Sequence, residues 1–110
     1  MPEISKVKKL AKIVLREREV KKMKTHRIKL NEFYEEDVLS GRKNFEVRLN
    51  DRGYQAGDLV IFTVIDDLGI RIPSPLNEKK YRITYVHSGL GLKESHVVFG
   101  IAPSEEEENG

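Results

Sequence analysis

The fold is decided by the stretch GRKNFEVRLNDRGYQAGDLVIFTVI, residues 41–65. Polar and apolar residues alternate over 44–49, which is typical of a half-buried strand. Its apolar face carries Phe45, Val47 and Leu49, and its polar face carries Asn44, Glu46 and Arg48. Residues 51–58 contain two glycines and predict a loop. The nearly continuous apolar and β-branched run 59–65 predicts a strand buried on both sides.

On the N-terminal side, weak alternation over 25–30 predicts a first strand. Asn31 is a favourable helix N-cap, and the acidic residues that follow suit the positive end of a helix dipole. Gly41 stands where a C-terminal glycine is expected. We therefore expect a short helix over 32–40, directly before the strand 44–49.

On the C-terminal side, the patterns predict strands over 81–86 and 97–102, joined through a glycine-rich loop at 88–92. Pro73 and Pro75 keep the preceding segment irregular. Four or five short, mostly antiparallel strands with one helix predict an α+β domain built on a small closed or partly closed β-barrel.

The charge of the chain is divided into three blocks. The 110 residues include 20 Lys+Arg and 18 Asp+Glu, a net charge of +2. Residues 1–24 hold nine basic residues and three Glu, residues 25–104 hold eleven of each sign, and residues 105–110 hold four Glu. We predict a basic amphipathic helical extension over 1–23, with its helix over 5–22, a barrel domain over 24–102 and an acidic disordered tail over 103–110.

The composition excludes several classes of protein. The absence of cysteine excludes a disulfide scaffold and a thiolate-ligated zinc site. The three histidines show no paired ligand spacing, and no phosphate-binding or dinucleotide-binding glycine motif occurs, so we expect no metal and no cofactor. No apolar run could span a bilayer and no secretory signal is present. These patterns predict a cytoplasmic monomer without a membrane partner. Few Gln and Met beside many Lys and Glu are typical of high-temperature organisms.

The densest set of polar residues lies in 41–58 and provides the candidate binding site. Its members are Arg42, Lys43, Glu46, Arg48, Arg52 and Tyr54. A lysine, a carboxylate and an arginine converging from adjacent elements could bind a phosphate or a polar base edge. The alternative is that Glu46 and Arg48 lie on a solvated face and form an ion pair worth under about 1 kcal/mol.

The order of these motifs resembles the ASCH family, whose members have a PUA-like β-barrel. The resemblance covers residues 24–102 and includes the pattern GxKxxExR, matched at Gly41, Lys43, Glu46 and Arg48. The stretch GRKNFEVRLNDRGYQAGDLV, the later YVHSGLGL and the final HVVFGI are similar to a branch of small stand-alone domains of uncharacterised function.

The resemblance implies a cleft beside the barrel that suits RNA or a nucleotide-like ligand. There, Arg and Lys would hold phosphate, Glu46 would accept from a base or orient Arg48, and Tyr54 would stack on a base. One branch of the family hydrolyses acylated cytidine with the motif lysine, a threonine three residues later and a glutamate. Lys43 matches that lysine, but Glu46 occupies the threonine position, so the nucleophile is missing.

Three functions follow from the sequence. The first is an RNA- or nucleotide-binding module without catalysis. The second is a small hydrolase of a modified nucleoside, with Lys43 and Glu46 as an acid/base pair. The third is a protein-interaction domain.

Overall fold

The computed structural model describes residues 23–104. The predicted helix over 5–22 and the four glutamates of the predicted acidic tail lie outside the described residues. The strands are β1 (Thr25–Asn31), β2 (Phe45–Leu49), β3 (Leu59–Ile65), β4 (Lys80–Ser88) and β5 (His96–Pro103). One α-helix, α1 (Glu35–Leu39), is preceded by a 3-10 turn at Glu32–Tyr34, and a second 3-10 turn occupies Pro75–Glu78.

Local sequence sets both ends of the helical segment. The Asn31 side chain accepts a hydrogen bond from the Phe33 backbone N–H at 2.9 Å, as expected of an N-cap. At the other end, Gly41 has a φ of 83°, a conformation that disfavours residues with a Cβ, and its N–H donates to Val38 O at 3.1 Å. The predicted helix over 32–40 is therefore confirmed, with its first turn in the tighter 3-10 form.

The five strands form one curled mixed sheet in the order β1-β3-β4-β5-β2. β1 pairs with β3 in parallel, and the other three pairings are antiparallel. Within residues 23–104 no ladder joins β1 to β2, so the sheet is a half-barrel that is open between these two strands. We call this opening the β1/β2 seam. The predicted α+β class with five mostly antiparallel strands and one short helix is confirmed.

The core is apolar and continuous through the sheet. Its largest fully buried side chains are Phe62, Phe99, Leu76, Ile83, Val60 and Val64. The buried Asn77 fastens the second 3-10 turn to the sheet: its Oδ1 accepts from Val64 N and its Nδ2 donates to Ile72 O, both at 2.8 Å. No helix of the described residues has the length and apolar character needed to cross a bilayer.

The orientation of β2 is the reverse of the predicted one. Phe45, Val47 and Leu49 are 45%, 52% and 51% exposed, whereas Glu46 is 3% exposed. Glu46 stands opposite Phe99 of β5 and shares the inward face with this core residue. The prediction that the apolar face of β2 is buried was wrong, because Glu46 has partners on the inward side that neutralise its charge.

Matched substitutions on β2 and β3 should show which face of β2 is buried. Val47→Thr should change the free energy of unfolding by less than about 0.5 kcal/mol, because the side chain is half exposed. Val64→Thr should cost about 1–3 kcal/mol, because it buries a hydroxyl in the core. Urea denaturation measures both values. Equal losses for the two variants would contradict the orientation of β2.

Candidate functional site

Glu46 is the centre of a buried ion cluster. Its Oε1 accepts from Arg48 Nε at 3.0 Å and from Arg48 Nη2 at 2.7 Å, and its Oε2 pairs with Lys43 Nζ. The side chains of Lys43 and Arg48 are only 18% and 25% exposed, so both cations are also largely withdrawn from water. We call these three residues the Glu46 clamp. The solvated ion pair considered from the sequence does not occur.

The clamp also ties neighbouring elements together. Arg48 Nη2 donates to Lys29 O of β1 at 2.8 Å, so a side chain bridges the β1/β2 seam where no ladder does. Lys43 Nζ donates to Phe45 O at 2.9 Å, and the Lys43 backbone N–H donates to Asp37 O of α1 at 2.9 Å. These bonds fix the lysine between the end of the helix and the start of β2.

A hollow of about 530 Å³ opens beside the clamp. We call it the clamp hollow. Its lining comes from β1, β2 and the segment between them: Lys29, Leu30, Asn31, Tyr34, Lys43, Phe45, Glu46, Val47 and Arg48. The rings of Tyr34 and Phe45 are partly exposed, and Lys43 Nζ lies 5.3 Å from the centroid of each ring. The ammonium therefore has a cation–π contact with two aromatic rings.

A second hollow of about 410 Å³ lies further along the same seam. We call it the arginine hollow. It is lined by Arg27, Ile28, Lys29, Arg48, Leu49, Asp51, Arg52 and Tyr54. Lys29 and Arg48 line both hollows, so the two hollows adjoin where Arg48 crosses the seam.

The loop that carries Arg52 is held by a buried carboxylate. Asp58 Oδ2 hydrogen-bonds with His26 Nε2 at 2.8 Å and accepts from Gln55 N at 3.1 Å, and its Oδ1 accepts from Lys24 N at 3.2 Å. These bonds fasten the end of the loop to the start of β1. They place Arg52 at the arginine hollow and turn Tyr54 towards the core.

The structure brings five of the six predicted site residues to the seam, of which Glu46 and Tyr54 are buried. Lys43, Glu46 and Arg48 form the clamp, and Arg52 lines the arginine hollow. Arg42 instead pairs with Asp37 at 2.9 Å on the exposed surface and lines neither hollow.

Tyr54 lies at the seam but is buried. It is 5% exposed, and its ring centroid lies 4.8 Å from that of His26 and 4.7 Å from that of Phe99. A buried ring cannot offer a face to a base, so the expected stacking role does not fit Tyr54. Burial raises its pKa above the ordinary tyrosine value of 10.0, and the nearby Arg52 and Arg48 guanidinium groups oppose this rise.

The sequence prediction missed six residues of the clamp hollow. These are Lys29, Leu30, Asn31, Tyr34, Phe45 and Val47. The sequence pattern places Phe45 on the apolar face of a strand and Asn31 at a helix N-cap, and neither pattern indicates a binding role. Tyr34 and Phe45 lie close to the motif or within it in the chain, and this is the one signal that could have found them. The part of the chain that the structure describes contains no group of three His, Asp or Glu able to hold a metal ion.

The family model for a domain of unknown function, DUF3850, matches residues 25–101. The chain belongs to the DUF3850 family. The match takes in β1 to β4, nearly all of β5 and therefore both hollows of this DUF3850 domain.

Similarity to a solved structure is weaker. The crystal structure of hypothetical protein PH0355 is 19% identical, with a TM-score of 0.49, and the similarity covers 74% of this chain and 100% of that one. No curated protein matches the sequence. These comparisons do not confirm the resemblance to the ASCH family and its PUA-like barrel, which stays a prediction.

Removing the charge of Glu46 should destabilise the domain. Glu46→Gln keeps the shape of the side chain but leaves Lys43 and Arg48 without their counter-charge, and we expect a loss of about 2 kcal/mol or more. The control Asp37→Asn breaks the exposed pair with Arg42 and should cost under about 1 kcal/mol. Chemical denaturation at neutral pH measures both. A Glu46→Gln loss no larger than that of Asp37→Asn would contradict the buried clamp.

Tyr54 should ionise later than a free tyrosine. Because its folded-state pKa is raised, the protonated hydroxyl contributes stability that is fully present below pH 10.0 and is lost as the pH rises through the raised pKa. In an absorbance titration, the tyrosinate signal that Tyr54→Phe removes should therefore develop above pH 10.0. A midpoint of that signal at or below pH 10.0 would show that the ring is solvated.

Proposed function

We propose that this DUF3850 domain binds RNA or a nucleotide in the clamp hollow. One observation carries the proposal: the partly buried, positively charged Glu46 clamp lies directly beside the accessible rings of Tyr34 and Phe45. Lys43 and Arg48 supply two positive charges, and Glu46 supplies one negative charge. A cationic cluster suits phosphate, and exposed rings suit the faces of unpaired bases.

The clamp retains hydrogen-bonding capacity for a ligand. The bonds to Phe45 O and Glu46 use two of the three hydrogens on Lys43 Nζ. Arg48 uses Nε and Nη2, and its Nη1 has no hydrogen-bond partner among the described residues. Both side chains can therefore donate to a phosphate oxygen or to a base carbonyl without breaking the clamp.

Glu46 has a positioning role in this proposal. Both of its oxygens are occupied by cations, and at 3% exposure it has little surface to offer a ligand. By holding Lys43 and Arg48 in place before the ligand arrives, it lowers the entropy lost when these long side chains bind. This assigns Glu46 to the second of the roles expected from the sequence, the orientation of Arg48.

The size of the clamp hollow agrees with a nucleotide. The clamp hollow, at about 530 Å³, lies within the range of about 300–1,000 Å³ that is typical of small-molecule sites. Tyr34 and Phe45 take over the stacking role first expected of Tyr54, because their rings are 41% and 45% exposed. A base beside these rings would bring its phosphate towards Lys43 or Arg48.

The contact between Lys43 and Glu46 supports a second candidate, hydrolysis of a modified nucleoside. A lysine and a carboxylate in direct contact can exchange a proton in a general acid/base step. The geometry of the same carboxylate opposes this, because Arg48 holds its other oxygen through two hydrogen bonds and Glu46 is too buried to reach a substrate. Binding is therefore the function we place first, and a product assay on acylated nucleosides separates the two.

Tyr34→Ala should weaken binding of a fluorescently labelled single-stranded RNA about tenfold, because base stacking on an aromatic ring is worth about 1–3 kcal/mol. Fluorescence anisotropy measures the affinity, since the chain has no tryptophan to report on it. The control Tyr85→Ala removes another exposed tyrosine that lines neither hollow and should leave the affinity unchanged. Absence of binding by the unmodified chain, or equal effects of the two variants, would refute the proposed function.

A further inference from the structure

The two hollows along the β1/β2 seam differ in their chemistry. The clamp hollow has the accessible aromatic rings, Tyr34 and Phe45. The arginine hollow has no accessible ring, because its tyrosine is buried, and instead has a high density of basic side chains. One hollow is thus suited to a base, whereas the other is suited to phosphate and sugar.

The basic side chains follow the seam from end to end. Those that line the two hollows are Arg27, Lys29, Lys43, Arg48 and Arg52. The acidic residues in the same linings are Glu46 and Asp51. Glu46 is paired with both cations of the clamp, and Asp51 lies 4.0 Å from Arg52 Nε, which is a weak contact. Five basic and two acidic residues give the seam a net charge of +3, although residues 25–104 as a whole are neutral.

Strand geometry places two of these cations in a row. Arg27 and Lys29 are both exposed and alternate with the buried His26 and Ile28, so they point to the same side of β1. Residues two apart on a strand are separated by roughly 6.6 Å. Lys29 lies on one side of the seam, and Arg52 lies on the other side, near the start of the loop after β2. The Arg27 guanidinium instead donates to Thr63 Oγ1 of β3 at 3.4 Å and to Asn77 O at 3.2 Å.

We infer that the ligand of this domain is a single-stranded oligonucleotide that occupies both hollows, not a mononucleotide confined to one. The inference rests on the proposed function. One base stacks at Tyr34 and Phe45, the backbone passes Arg48 where the hollows adjoin, and the next phosphates lie along Lys29 and Arg52. A duplex is disfavoured, because stacking on the exposed rings requires an unpaired base.

The test compares a labelled nucleoside monophosphate with labelled trinucleotides of ribose and deoxyribose and with a short duplex. For the unmodified chain, we expect the single-stranded trinucleotides to bind at least about tenfold more tightly than the monophosphate, since one tenfold step requires only about 1.4 kcal/mol of added contact. The ribose and deoxyribose arms show which kind of strand is preferred. The duplex should bind more weakly than either single strand.

Arg52→Ala isolates the arginine hollow. For the trinucleotide, it should lower the slope of log affinity against log salt concentration by about 0.7, the value of one phosphate contact on a single strand. The affinity for the monophosphate should not change. Arg71→Ala removes an exposed arginine that lines neither hollow and should alter neither ligand. Arg52 is itself exposed, so its loss should leave the fold intact.

The outcomes separate this inference from the proposed function. If the monophosphate and the trinucleotide bind equally and Arg52→Ala changes neither, the proposed function stands and the two-hollow path is wrong. If Arg52→Ala weakens the monophosphate as well, one nucleotide already reaches the arginine hollow and the path is also wrong. Tighter binding of the duplex overturns the single-strand assignment. If no nucleic acid binds, both proposals fail.

Discussion

The burial of the Glu46 carboxylate is the constraint on which the rest of the structure depends. A half-barrel that is open between two strands exposes backbone donors and acceptors along both free edges, which invites association. Arg48 reduces this exposure by donating to Lys29 O across the seam. Glu46 holds the guanidinium in this position through Nε and Nη2. The Glu46–Arg48 pair therefore provides one hydrogen bond across the seam, where no strand ladder joins β1 to β2.

The same carboxylate explains why charged side chains occupy a position that would otherwise be apolar. Burying a single ionised group is costly, and the cost is offset only when opposite charges and hydrogen bonds surround it. Lys43 arrives from the end of the helix and Arg48 from two residues along the strand, so Glu46 meets one cation on each oxygen. Removing Glu46 leaves both cations without their counter-charge, whereas removing Lys43 or Arg48 still leaves one pair of opposite charges.

Much of the fold could be predicted because its signals are local. The cap at Asn31 and the left-handed glycine at Gly41 depend on residues within one helical turn, and the structure confirms both. The buried strand predicted at 59–65 is also present with the same bounds, since its run of β-branched residues has few alternatives. The parallel pairing of β1 with β3 joins residues more than 30 positions apart and leaves no local signal.

The inward face of β2 could not be predicted from the sequence. Alternation with a period of two establishes that a strand has two different faces, but it does not say which face lies inward. The usual rule favours the face of Val47, and this rule fails because an edge strand beside an open seam can bury an ion cluster instead. Lys29 and Asn31 were missed for a related reason. They belong to the site only because the sheet curls β1 round towards β2, which depends on all four pairings.

Net charge was a poor guide to the seam for a physical reason. Charges on the surface are screened over about 8–10 Å at ordinary salt, so a ligand in the seam responds chiefly to the groups that line it. The acidic residues that cancel the total lie elsewhere or are occupied: Asp37 pairs with Arg42, and Glu35 and Glu36 lie in the first turn of α1. A neutral domain can thus have a groove with a charge of +3. Under the proposed function, this local charge favours a ligand that fits the seam over general adhesion to nucleic acid.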